Sequence, residues 1–95
     1  MTLDEFKATL SQASPPPVTA VLRALWHDAR GDWDAAHKVA QEVDDERGAW
    51  VHAYLHRKEG DLGNARYWYR RASQPEATDS LEAEWDRIAT ALLER

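Results

Sequence analysis

The chain of 95 residues contains no cysteine. Disulfide bonds, thiolate nucleophiles and thiolate metal ligands are therefore excluded. No run of 18 apolar residues occurs, so the sequence predicts no membrane-spanning helix. The first residues, MTLDEFKATL, lack the basic start and long apolar segment of a secretion signal. Together these absences favour a cytoplasmic domain.

Common catalytic motifs are also missing from the sequence. It has no G-x-S-x-G nucleophile elbow, no glycine-rich phosphate loop and no paired-cysteine zinc motif. Its net charge of −5 disfavours nucleic acid as a partner, because phosphate backbones attract basic surfaces. We therefore expect a binding protein rather than an enzyme. Hydrolytic activity stays open as an alternative because of one group of histidines.

The chain is rich in helix-forming patterns and in tryptophan. Its five tryptophans are a large share for this length, so aromatic burial should supply much of the stability. Turn signals divide the chain into six predicted helices and no strands, with Pro17 as the expected first residue of the second helix. The sequence predicts one all-α domain, 1–95, made of an N-terminal helix (1–13), a first helical hairpin (17–44), a second (46–73) and a C-terminal capping helix (78–95).

The chain repeats itself at an offset of 29 positions. Small, turn and histidine residues coincide at this offset: Ala24 with Ala53, His27 with His56, Gly31 with Gly60, Asp32 with Asp61, and Ala36 with Ala65. Alanines allow two helices to approach closely, glycine ends one helix, and aspartate caps the next. Each half is therefore predicted to be a helical hairpin.

The segment GDLGNARYWYRRA, residues 60–72, resembles the second half of a tetratricopeptide repeat of the Sel-like type. The matching positions are the small residues at the helix crossing, the turn, the large packing residue and the closing alanine: Ala53, Ala65, Gly60, Asp61, Tyr69 and Ala72. The resemblance covers residues 18–73 and implies two stacked antiparallel hairpins with extra helices at both ends. It also implies a module that binds a protein or peptide.

In such a stack, one face of the second and fourth helices would line a shallow groove. We expect Trp50, Tyr54 and Arg57 to contact the partner there, since aromatic and arginine side chains anchor interfaces. The alternative is that the first or the last helix covers this face. Exposed aromatic residues could also form a homodimer contact.

Two histidines lie one turn apart on the fourth helix, at His52 and His56. The repeat places His27 inward on the second helix, so His27, His52 and His56 are predicted to approach one another. In one interpretation the imidazoles are core residues with satisfied hydrogen bonds and the protein holds no cofactor. In the other they hold a divalent transition metal in a metal-binding or hydrolytic helical protein. We expect His37, beside Trp33 and away from the alanine stripe, to be exposed or to face a partner.

Overall fold

The computed structural model describes residues 1–94, and all regular structure in that range is helical. Six α-helices follow one another: α1 (Leu3–Ala8), α2 (Ala20–Ala29), α3 (Trp33–Gln41), α4 (Glu46–Glu59), α5 (Leu62–Ala72) and α6 (Leu81–Leu93). The all-α prediction is confirmed. Arg95, the last residue of the predicted capping helix, lies outside the described residues. Within residues 1–94 no helix is long and apolar enough to cross a bilayer.

Side chains that cap helices explain most of the helix starts. Thr2 and Glu5 form a reciprocal capping box at α1. Asp32 accepts a hydrogen bond from the third backbone N–H of α3, and Asp61 does the same for α5. Gly60 ends α4 with φ at +89°, a conformation that costs glycine little. The predicted Gly-Asp corners are therefore present.

The start of the chain differs from the sequence prediction. The first α-helix ends at Ala8 and continues only as a short 3-10 turn, Thr9–Ser11. The second helix begins at Ala20 rather than at Pro17, because Thr19 has an extended backbone (ψ 162°) and acts as the N-cap. Residues 12–19 therefore form a non-helical connection.

The core is built around closely packed helix crossings. Helix α2 packs mainly on α3, and α4 mainly on α5, with α3 also against α4. The alanines predicted for these crossings are buried, with exposed fractions of 0% for Ala24, Ala36 and Ala53 and 2% for Ala65. Small side chains at a crossing let the two helix axes approach closely, so that larger side chains on either side of the crossing contact each other.

The last helix covers α2 and α4. The Trp85 indole N–H of α6 donates to the carbonyl of Leu25, at 3.0 Å. Glu84 is fully buried and accepts hydrogen bonds from Arg57, at 2.8 Å, and from the Tyr69 hydroxyl, at 2.5 Å. A buried carboxylate needs such partners, so this network holds α6 in one register.

Gly48 and Gly63 offer a matched test of this packing. A Cβ at Gly48 would lie 2.8 Å from the Cβ of Val43 and closer still to its carbonyl oxygen, whereas a Cβ at Gly63 would meet nothing within 4 Å. We expect Gly48→Ala to lower the free energy of unfolding by about 2 kcal/mol or more, as overpacking does. Gly63→Ala should raise it by about 0.5 kcal/mol, because alanine favours the helix.

Urea denaturation monitored by circular dichroism measures both changes. Equal effects of the two substitutions would show that α4 does not approach the residue 43 turn as closely as described.

Candidate metal centre

Three histidines from two helices meet on one side of the core. His37 comes from α3, and His52 and His56 come from α4. One ligand nitrogen from each lies within 4.8 Å of the other two. The Nε2 atoms of His37 and His52 are 3.0 Å apart and share a hydrogen bond. We call this group the histidine triad.

Local helix geometry explains the triad. His52 and His56 are separated by four residues, so they point to the same side of α4, and their rings stack with centroids 4.7 Å apart. Helix α4 is apolar on most sides and buried from Gly48 to His56. Helix α3 packs against it and adds His37, whose ring is nearly perpendicular to that of His52, with centroids 4.7 Å apart.

Two tryptophans enclose the triad. Trp68 of α5 stacks on His52 with ring centroids 4.0 Å apart, so the His52 ring lies between Trp68 and His56. Trp33 stacks on His37 at 4.9 Å and donates its indole N–H to the carbonyl of Leu55 at 2.9 Å. These aromatic walls restrict the rotation of the imidazoles and keep much of the surrounding water away.

Burial keeps His52 and His37 uncharged at neutral pH. Desolvation, with further contributions from His37 and His56, lowers the pKa of His52 from 6.5 to about 4. Desolvation and His56 also lower the pKa of His37, against smaller opposite effects of Glu59 and Asp34. A neutral imidazole has a free lone pair, which is the form that binds a metal.

A carboxylate orients the third histidine. Glu59, one turn after His56, lies with its Oε1 atom 2.6 Å from the Nδ1 atom of His56. When Nδ1 carries the proton and donates to this carboxylate, the lone pair is on Nε2. Metal-ligating histidines commonly show this carboxylate pairing, which fixes the ring and increases its basicity.

The nitrogen spacing fits a small metal ion. Zinc–nitrogen bonds of about 2.0–2.1 Å in a tetrahedron place the ligand nitrogens about 3.3 Å apart. The His37–His52 pair at 3.0 Å is close to that value, and the third nitrogen is within 4.8 Å. A second group, His56 with Glu59 and Asp61, shares one ligand with the triad, but both of its carboxylates are exposed.

A cavity adjoins the triad at His52. It has a volume of about 250 Å³ and lies where the end of α3, the start of α4 and α5 meet. His52 and Trp68 form part of its wall, and Asp44, Glu46 and Arg71 are among its charged residues. His52 therefore belongs both to the triad and to the wall of a cavity.

Of the predicted metal ligands, the structure brings together His52 and His56 but not His27. Half-buried on α2, His27 packs edge-on against the neighbouring Trp26, with ring centroids 5.2 Å apart. His37 occupies the third position of the triad instead. Its position four residues after Trp33 was the available signal, since that spacing stacks the two rings on one helix face.

The residues predicted to contact a partner lie inside the protein. Trp50 and Tyr54 are 7% and 3% exposed, and the Arg57 side chain is 17% exposed because it pairs with Glu84. The expected groove is covered by the last helix, which was the alternative left open by the sequence.

Tyr54 has a structural role in this arrangement. Its hydroxyl donates to the buried carboxylate of Asp28 at 3.0 Å, and the Lys58 ammonium contacts the other Asp28 oxygen at 2.9 Å. Burial, the Asp28 charge and this hydrogen bond raise the pKa of Tyr54. The group therefore ties α2 to α4 as a satisfied polar network.

Comparison of the chain with protein-family models, with curated proteins and with solved structures gave no match. The tetratricopeptide resemblance thus stays a proposal based on the residues quoted above.

The lowered pKa of His52 predicts acid-sensitive stability. Because the unfolded state binds a proton near pH 6.5 and the folded state only near pH 4, stability is complete above about pH 6.5 and falls as the pH drops toward 4. For metal-free protein, we expect a loss on the order of 2 kcal/mol over this range from His52. The measurement is urea unfolding at a series of pH values in the presence of a chelator.

Carboxylates also titrate in this pH range. The contribution of His52 is therefore obtained from the difference in free energy of unfolding between the wild type and a His52 variant. His52→Gln should flatten the pH dependence of the free energy of unfolding, and the same substitution at His27, outside the triad, is the control. Parallel curves for the wild type and His52→Gln would contradict a buried neutral imidazole at this position.

Proposed function

We propose that this protein binds a divalent first-row transition metal, with zinc as the leading candidate, through His37, His52 and His56. The observation that supports this function most directly is the convergence of three imidazole nitrogens within 4.8 Å. Imidazole is a preferred ligand for zinc, copper and nickel, whereas magnesium and calcium prefer oxygen ligands. The triad is also the revised form of the metal-binding alternative that the sequence suggested.

The contrast with the other buried polar groups supports the proposal. Asp28 and Glu84 each have a cationic partner and a tyrosine hydroxyl. His52, in contrast, has another imidazole as its hydrogen-bond partner and a third one stacked against it. Burial lowers the pKa of both His37 and His52, and a cation is a better partner for their lone pairs than another base is.

Metal binding would also link two helices that are not joined by a side-chain ion pair at this place. His37 lies on α3, and the other two ligands lie on α4. A ligand that binds only the folded state stabilises it, by about 2.7 kcal/mol at a free concentration of one hundred times Kd. The metal would therefore stabilise the folded state by joining α3 to α4.

We predict that His37→Ala weakens metal binding at least about tenfold, a loss of about 1.4 kcal/mol or more. His52→Ala should have the same effect, since it removes another of the three ligands. His27→Ala should bind as the wild type does, because His27 lies outside the triad. Isothermal titration of tag-free protein with Zn²⁺ measures the affinities, and elemental analysis gives the stoichiometry.

Circular dichroism of each metal-free variant shows whether the fold is retained, so that loss of binding is not mistaken for unfolding. Wild-type protein that binds no zinc after chelator treatment and reloading would refute the function. Loss of binding in His27→Ala together with retention in His37→Ala would refute this ligand set.

A second candidate function is protein binding through the outer face of α5. We propose it because Tyr67 is 43% exposed and lies below the guanidinium of Arg71, at 5.9 Å from the ring centroid. Arg70 is exposed on the same helix, which contains no acidic residue from 62 to 72, and Arg66 there pairs with Glu76 at 3.0 Å. Exposed aromatic and arginine side chains are typical of interface anchors, and this face would suit an acidic protein segment.

For this second function we predict that the double substitution Tyr67→Ala and Arg70→Glu weakens binding of a fluorescent oligoglutamate peptide about tenfold, through lost packing and charge repulsion. The readout is fluorescence anisotropy at low salt. Lys38→Glu, an exposed substitution on α3, is the control and should have little effect. Equal weakening by Lys38→Glu, or stronger binding of a single-stranded oligonucleotide than of the peptide, would contradict an acidic protein partner.

A further inference from the structure

The histidine triad supplies three ligands, one fewer than a tetrahedral site needs. Among residues 1–94, no fourth histidine or carboxylate belongs to this group. Glu59 contacts Nδ1 of His56, so its oxygen is engaged with a ligand rather than offered as the fourth ligand. Zinc sites closed by four protein ligands are structural, whereas sites with three keep a position for an outside ligand.

The cavity at His52 is the space from which such a ligand could approach, with His52 as the triad member in its wall. Its volume of about 250 Å³ is several times the roughly 30 Å³ that one water molecule occupies in the liquid. Its walls combine apolar groups, among them Val43 and the Trp68 ring, with polar and charged ones in similar measure. A cavity of this volume has room for a small molecule.

The charges at this cavity discriminate among small ligands. Asp45 pairs with Arg47 at 2.8 Å, which leaves Asp44 and Glu46 facing a single Arg71 on the cavity wall. The cavity is thus net acidic. Carboxylates repel an incoming anion and leave a neutral molecule unaffected.

We propose that the metal-loaded triad keeps one exchangeable coordination position, reached through the cavity at His52, and that the acidic cavity makes a neutral nitrogen donor such as imidazole its preferred ligand over an anion. This inference rests on the proposed metal function. It goes beyond that function in naming where the outside ligand enters and what chemical class it has.

The test uses the full chain loaded with Co²⁺, whose visible d–d spectrum reports changes of its ligands. Imidazole and azide are titrated separately into the wild type and into a variant with Asp44→Asn and Glu46→Gln; Asp45 is kept because it caps α4. We expect imidazole to change the wild-type spectrum in a saturable way. The neutralised variant should bind azide roughly three- to tenfold more tightly and imidazole unchanged.

A control variant with Asp4→Asn and Glu94→Gln has the same change in net charge, but at positions away from the cavity. Its affinities for azide and imidazole should equal those of the wild type. Cobalt that binds without any response to imidazole would overturn the exchangeable position while the metal function stands. An azide affinity equal in all three proteins would overturn the charge selection. If cobalt does not bind to the wild type at all, the metal function and this inference both fail.

Discussion

Close approach of helix α4 to both α3 and α5 is the constraint on which the rest of this structure depends. Ala36 of α3 and Ala53 of α4 have no exposed surface, and Ala65 of α5 is 2% exposed. Because these side chains are small, the three helices lie close enough for the larger side chains between them to contact one another. The Trp68 and His52 rings stack with centroids 4.0 Å apart, and the Nε2 atoms of His37 and His52 are 3.0 Å apart. A larger residue at the crossings would separate the helices and, with them, the triad.

The protein has two kinds of buried polar group, and they solve the desolvation problem differently. On the side facing α6, carboxylates are neutralised by Lys58 and Arg57 and bonded by tyrosine hydroxyls. On the side facing α3, His52 and His37 avoid the cost by remaining uncharged, because burial lowers the pKa of each. The first arrangement is complete without a ligand. The second brings three imidazoles within 4.8 Å of one another, which is why the proposed metal site lies on that side.

The parts of the fold that depend on local chemistry could be predicted from the sequence. Capping residues, the Gly-Asp corners and the buried alanines are properties of short segments, and the described residues confirm them. His52 and His56 share a face simply because they are four residues apart. The predicted approach of His27 to His52 and His56 is not found, for a physical reason. The 29-residue offset relates α2 to α4 and α3 to α5, whereas the triad lies between α3 and α4, which the repeat does not relate. A repeat cannot reveal contacts between helices that it does not make equivalent.

Burial of the expected contact face has a similar cause. Trp50 and Tyr54 are buried, and Arg57 on the same helix pairs with Glu84 of α6. Helix α6 lies outside the repeat, so the repeat could not show whether this side of α4 was open. The aromatic and basic character predicted for a surface is found instead on α5, which packs mainly against one neighbour. Trp68 connects this helix to the triad: its ring stacks on His52, and the Arg71 guanidinium lies 5.3 Å from its centroid. A metal at His52 and a partner on α5 could influence each other only if Trp68 changes position between the bound and free states, since coupling requires a difference in contact energy between two conformations. Trp68 stacks on His52 and also lines the cavity of about 250 Å³, so any coupling between the two proposed sites requires that this stacking differ between the two conformations.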